Sequence, residues 1–258
     1  MEKISIVIPA YNEEKRIGKT LELYSAFFNM LKKEKNLDYE LLIVINNTTD
    51  NTENIVKNAQ NKNDKIIYLN LKRGGKGYAV IEGFKEALKR SSDLIGFVDA
   101  DLATSPEEYS KLIFSIGKFD GAIADRYTKG SKVFPPATFR RLVVGRIFNF
   151  LIRSLLFLPF KDTQCGAKLF KRSALERIIP LLGMSQWAFD VDLLYNLYKN
   201  KFNIISVPTI WIDKEYSKIN FIRAGPWMAL GIIRLRILNS PMKNLIRIYD
   251  KLVRFIPR

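Results

Sequence analysis

Within the first 125 residues, five short apolar runs are separated by four longer amphipathic stretches. Residues 4–8 read as a buried strand ending at Pro9, and an amphipathic helix follows from Glu13 to about Lys33. Residues 40–45 form a second strand, with Thr49 or Asp50 placed to cap a helix that runs to about Gln60. A third strand at 65–69 leads through a Gly-rich turn into a helix over 76–90. The fourth strand spans 93–98, after which Ser105-Pro106-Glu107-Glu108 opens a helix with a cap, a proline in its first turn and early acids. The fifth strand is 121–124. Strands separated by crossover helices return to the same edge and run parallel. The expected fold is therefore α/β, a doubly wound, mostly parallel sheet.

In such sheets ligands bind outside the carboxyl ends of the strands. Those ends carry Tyr11, Asn12 and Glu13, then Asn46 and Asn47, residues 73–77, residues 99–101, and Arg126. Five strand ends with a coherent polar set point to a nucleotide-like ligand. Asp99-Ala100-Asp101 follows an apolar strand, and two carboxylates at i and i+2 in extended chain face the same way. A hard cation bridging a carboxylate and a diphosphate needs such a pair. Lys72-Arg73-Gly74-Gly75-Lys76-Gly77 opens a helix, where backbone N–H groups and cations can meet an anion. It lacks the spacing and the hydroxyl residue of a Walker A loop. The chain has no histidine, which excludes imidazole acid–base catalysis, His-containing zinc sites and Ser-His-Asp triads. Any metal must sit on oxygen ligands, so Mg2+ or Mn2+ is expected. A single cysteine, Cys165, rules out an intramolecular disulfide.

These motifs resemble an ordered set. Residues 6–14 (IVIPAYNEE) resemble the opening strand of family 2 glycosyltransferases with the GT-A fold, and Phe97-Val98-Asp99-Ala100-Asp101 resembles their DxD strand. Residues 162–170 (DTQCGAKLF), 187–194 (WAFDVDLL) and 212–218 (IDKEYSK) are similar to the dolichyl-phosphate glucosyltransferase branch, with dolichyl-phosphate mannose synthases close by. The resemblance covers about residues 4–238. It implies that Pro9, Tyr11 and Glu13 cradle the nucleoside, that Asp99 approaches the ribose or sugar beside Ala100, and that Asp101 holds the divalent metal. Lys76 and Arg126 would lie near phosphates, Arg126 with Asp99 and Asp101 forming the catalytic set. Where many relatives have Asp-Asp-Gly-Ser after the second strand, this chain has Ile45-Asn46-Asn47-Thr48, and Asn46 can still hydrogen-bond a base with donor and acceptor. The resemblance further implies a nucleotide-sugar donor, UDP-glucose by the branch with GDP-mannose as the second reading, and transfer of the sugar with inversion to dolichyl or another polyprenyl phosphate. A phosphate monoester with a second pKa near 6 is already ionised at neutral pH and needs cations rather than a base. Arg126, Arg140 and Lys218 are the candidates for it, with Arg141 weaker. Gln164, Asp190 and Asp192 are candidates for the sugar or acceptor loop, although a helix-start cap explains the two acids as well.

The net charge is +16, and residues 216–258 hold nine lysines and arginines against one acid, half of that surplus. Such a block needs a polyanionic partner, and the interleaved apolar residues favour lipid headgroups over nucleic acid. Residues 142–160 form an apolar helical stretch with Arg146, Asn149 and Arg153 on one stripe, expected either to be buried in protein or to lie in a bilayer interface as an amphipathic helix. Residues 242–256 put Met242, Leu245, Ile246, Tyr249, Leu252, Val253 and Ile256 on one face and cations on the others, the pattern of an in-plane membrane helix or of one packed on the catalytic domain or a partner subunit. No segment is long and apolar enough to span a bilayer, and no signal peptide is visible. The expected organisation is a catalytic domain over 1–215 and a basic membrane-associating segment over 216–258, peripheral on the cytoplasmic face of a membrane. A polysaccharide-building transferase would want spanning helices, and a sugar-nucleotide pyrophosphorylase a Gly-rich loop after the first strand. A non-catalytic basic protein binding membranes or nucleic acid would explain the charge but not the strand ends.

Overall fold

A computed structural model describes residues 2–136, 139–183, 188–212 and 221–240, together with Asn244 and Ile246. In chain order the elements are β1 (Glu2–Ala10), α1 (Ile17–Glu34), β2 (Leu37–Asn46), α2 (Thr52–Lys62), β3 (Ile66–Leu71), α3 (Lys76–Lys89), β4 (Leu94–Val98), α4 (Pro106–Ile116) and β5 (Gly121–Asp125). Then come β6 (Lys132–Phe134), α5 (Phe139–Leu156), β7 (Ala167–Lys171), α6 (Arg172–Ile178), α7 (Phe189–Lys199), β8 (Ile204–Pro208), β9 (Ile210–Ile212) and α8 (Phe221–Leu238).

The seven-stranded sheet has the order β3-β2-β1-β4-β7-β5-β8. All neighbours are parallel except β7, which runs antiparallel to both β4 and β5. The five expected strands are all present, each within a few residues of its expected bounds. Alternation along β1 explains the double winding: Ile4, Ile6 and Ile8 join the core under α1, α2 and α4, while Val7 joins the opposite core under α3, α5, α6, α7 and α8. The first helix shows why it forms. Ile17, Leu21, Tyr24, Phe28 and Leu31 recur on one face and are all buried, each worth roughly 1.5–3 kcal/mol against exposure. Ser105 caps α4 by accepting from the Glu108 N–H at 3.4 Å, and Asp50 Oδ1 accepts from the Thr52 N–H at 3.0 Å to open α2.

Three features position the site. The chain winds outward from β1 and β4 in opposite directions, so a crevice opens between their carboxyl ends. The β1–β4 ladder stops at Val7↔Phe97, and Pro9, which has no N–H to offer a ladder, lies two residues beyond it. Second, β7 returns from α5 into the middle of the sheet. Third, a small parallel pair, β6–β9, lies over the Asp-Ala-Asp turn: the Ile212 N–H donates to the Ala103 carbonyl at 2.9 Å, and Trp211 bridges Thr104.

The expected polar stripe on α5 is not what forms. Arg146 and Arg153 are exposed, but Asn149 is buried and its Oδ1 accepts from the Thr163 hydroxyl at 3.4 Å. The exposed face instead carries Ile147, Phe150, Leu151 and Leu155, followed by Phe157. α8, which falls in the expected C-terminal segment, packs against α5 and puts Ile232 and Leu235 into the same core as Val7. Most of the expected tail helix lies outside the described residues. No helix among the described residues is long and apolar enough to cross a membrane.

Candidate active site

The crevice is ringed by backbone in unusual conformations. Asn12, Asn47 and Leu102 have positive φ angles of 52°, 50° and 59°, one after β1, one after β2 and one after Asp101. At Asn12 the left-handed turn lets the side-chain oxygen accept from the Thr49 N–H at 2.9 Å, tying the ends of β1 and β2 together. At Leu102 it brings the Ala103 N–H to Asp101 Oδ1 at 2.9 Å, which fixes that carboxylate's orientation. Gly75, at φ 126°, takes a conformation that side chains rarely adopt and launches α3 with Lys76 at its first position.

Asp99 and Lys76 meet at the crevice, Oδ1 to Nζ at 2.7 Å, both about one-third exposed. The Asp99 N–H donates to the Gly166 carbonyl at 3.0 Å, so the start of β7 sets the base of the carboxylate. Lys76 Nζ also lies 3.9 Å from Asp190 Oδ2, and Asp190 Oδ1 accepts from Lys168 Nζ at 2.6 Å. Burial raises the Asp99 pKa and the Asp101 and Asp190 charges push the same way, outweighing Lys76. Burial alone would lower the Lys76 pKa, but Asp99 and Asp190 more than offset it and hold the ammonium charged. Arg126 is enclosed rather than open. Its Nε and Nη2 donate to Asp162 at 2.7 and 2.9 Å, its guanidinium lies 5.1 Å from the Trp211 ring centre, and Asp162 is fully buried.

The expected residues divide. Asp99, Asp101, Lys76 and Asp190 converge on the crevice. Asn46 gives its amide to the fold, donating to the Ala10 carbonyl at 3.0 Å and accepting from the Gly75 N–H at 3.2 Å. Ala100 is buried and its carbonyl accepts from the Thr20 hydroxyl at 2.7 Å. Glu13 forms a fork with Arg16, both contacts at 2.6 Å, while Tyr11 is half exposed and Pro9 stays in the β1–β2 ladder. Asp192 accepts instead from the Gly183 N–H at 2.9 Å and from the Asn196 side-chain amide at 2.7 Å, one turn along α7, and it does not cap the helix. Gln164 is held at its backbone, whose N–H donates to Asp162 Oδ1 at 3.1 Å. The side chains of Arg140 and Arg141 and the whole of Lys218 lie outside what the structure describes. Sequence reasoning gave no role to Asp162, Gly166, Lys168 or Trp211. The signal was there for two of them: a lysine inside the apolar run of residues 167–170, and an acid and a glycine four residues apart just before it.

The sequence pattern of the family described as glycosyl transferase family 2 matches residues 5–179. The chain belongs to that family. Among curated relatives, a Dictyostelium discoideum protein named dolichyl-phosphate beta-glucosyltransferase is 32% identical over 90% of this chain and 73% of its own length. Proteins of the same name from Drosophila melanogaster and Homo sapiens are 31% and 30% identical over 89% and 93% of this chain and 72% and 77% of their own lengths. Among solved structures, glucosyl-3-phosphoglycerate synthase from Mycobacterium tuberculosis in complex with Mn2+, UDP and glucosyl-3-phosphoglycerate superimposes with a TM-score of 0.66 at 18% identity, covering 92% of this chain and 79% of that one. Staphylococcus aureus TarS in complex with UDP-GlcNAc gives 0.58 at 18% identity, over 97% and 70% of the two chains. This family 2 chain is a glycosyltransferase with the GT-A fold.

Proposed function

We propose that this family 2 chain moves glucose from UDP-glucose to dolichyl or another polyprenyl phosphate, with inversion at the anomeric carbon. What carries the reading is the run of relatives named dolichyl-phosphate beta-glucosyltransferase that match about nine-tenths of the chain. The site chemistry agrees with it. A phosphate acceptor is ionised at neutral pH and attacks without a general base, which a chain lacking histidine can accommodate. Lys76 exchanges Asp99 for the donor diphosphate and neutralises the charge that builds on it as the sugar departs. Asp99, released, orients ribose or sugar hydroxyls. Arg126, locked by Asp162 and Trp211, presents its remaining N–H groups at a fixed angle to the acceptor phosphate, with Arg140 and Lys218 as the further cations. No group of three or more Asp, Glu or Cys side chains among the described residues encloses a metal by itself. Asp101 offers one oriented carboxylate, and a cation completed by phosphate oxygens and water fits that donor set, the way magnesium is usually held. When bound there, Mg2+ or Mn2+ supplies Lewis-acid stabilisation of the leaving diphosphate. The apolar face of α5, flanked by Arg146 and Arg153, is the part of the catalytic domain that rests on the cytoplasmic surface of a membrane, and the surplus cations of residues 216–258 add attraction to anionic lipid.

The test is a donor screen in detergent: radiolabelled UDP-glucose, GDP-mannose and UDP-GlcNAc, each with a polyprenyl phosphate and MgCl2 or MnCl2. Label from UDP-glucose should enter the organic phase, disappear with EDTA, and fall at least about 100-fold in Asp101→Ala. Undiminished transfer by that variant removes the metal role, and label from GDP-mannose alone replaces the donor.

A further inference from the structure

Lys168 is the one lysine among the described residues that is fully buried, and the reaction above gives it no part. It stands mid-strand in β7 with Ala167, Leu169 and Phe170 around it, where an isolated ammonium would not stay charged. Its Nζ donates to the Cys165 carbonyl and to Asp190 Oδ1, both at 2.6 Å. The other oxygen of Asp190 faces Lys76 Nζ at 3.9 Å, and Lys76 meets Asp99 at 2.7 Å. Both ammonium groups lie against the Phe97 ring, 5.2 and 5.5 Å from its centre. Charges thus alternate from core to crevice: Lys168, Asp190, Lys76, Asp99. A lysine stem has four rotatable carbons and settles wherever anions hold it. Asp190 cannot follow Lys76 outward, because Lys168 grips it from below. Its contact with Lys76 is also longer than that of Asp99, so Lys76 can leave Asp99 for an incoming anion while staying in the field of Asp190.

We infer that Lys168 is a positioning residue for the donor diphosphate: through Asp190 it fixes where the Lys76 ammonium waits. The inference rests on the donor reading above and is independent of the acceptor. A purely structural staple between β7 and α7 would show the same contacts, so the test must separate the two. Lys168→Met alone strands a buried carboxylate, whereas Lys168→Met with Asp190→Asn removes both charges at nearly constant shape. Calorimetric binding of UDP with MgCl2, or of GDP if the wild type prefers it, is measured for this pair, for Lys76→Met, and for the triple combination. The neutral pair should melt close to the wild type, bind the nucleotide about 10-fold more weakly and lose about 10- to 100-fold in kcat/KM. In the Lys76→Met background the same two substitutions should change binding by less than about twofold, because their effect runs through Lys76. If that neutral pair does not fold, Lys168→Met with Asp190→Leu, a second pair that leaves no buried charge behind, carries the same comparison. Wild-type affinity in the neutral pair, or an equal loss with Lys76 already removed, overturns the inference. Failure of the donor reading shows instead in the wild type, as absence of binding to UDP and GDP, and this inference falls with it.

Discussion

A guanidinium held by Asp162 on one side and Trp211 on another has little rotational freedom left, and that rigidity is costly to remove. Asp162 is fully buried and accepts from the Arg126 side chain, the Arg126 N–H and the Gln164 N–H. Asp162→Asn leaves a buried cation short of its partner, so urea unfolding should show a loss of about 3–5 kcal/mol. A loss below about 1 kcal/mol would mean that water reaches the pair. Gly166 makes a second prediction. A Cβ there would sit within 1.9 Å of Asp99 Oδ2, so Gly166→Ala must push the carboxylate out of place. Sugar transfer should fall about 100-fold while the melting temperature moves little, since the neighbouring group lies at an open crevice. At this scale the sequence was half legible. Asp99 and Asp101 stand out because two acids two apart at the end of an apolar strand have one common direction. Asn46 did not reveal itself, since an amide serves a backbone carbonyl and a loop N–H as readily as a base. Lys168 was hidden because patterns place lysine at the surface.

Among the elements, β7 and α5 show what periodicity can and cannot deliver. The first five strands were readable because each is an apolar run closed by turn or cap residues. β7 has the same apolar character, yet nothing in residues 167–171 records that it pairs antiparallel between two parallel strands; that depends on where α5 and the loop after it return the chain. In α5 the helix was readable but its orientation was not. Asn149 points inward because Thr163 meets it there, and that turns Phe150 outward, followed by Phe157, 68% and 69% exposed. If this face rests on lipid, replacing both phenylalanines with serine should weaken cosedimentation with phosphatidylserine-rich vesicles by about 10-fold or more without lowering the melting temperature. Equal binding by the variant would assign attachment to other segments.

For the molecule as a whole, the carboxylates that hold distant parts together are also the acid-sensitive ones. Burial would raise Asp38, but ion pairs with Lys32 and Lys65 outweigh it and hold it at about 2; Glu40 and Asp162 are likewise lowered by their partners against the effect of burial. A depressed acid stabilises the folded chain fully above its unfolded value near 4, and that stabilisation is lost as pH falls through the folded value. Urea midpoints should therefore be flat near neutrality and drop between about pH 4 and 2, with the lower part of the drop shallower in Asp38→Asn. The order of strands adds a constraint of a different kind. Without residues 161–258 the sheet order would leave β4 as an open edge, and Asp99, just past the end of that strand, would lack the Gly166 carbonyl to which its N–H donates. A fragment ending at residue 160 is therefore expected to self-associate through that unpaired edge and to bind no nucleotide, which light scattering and calorimetry of the fragment would check.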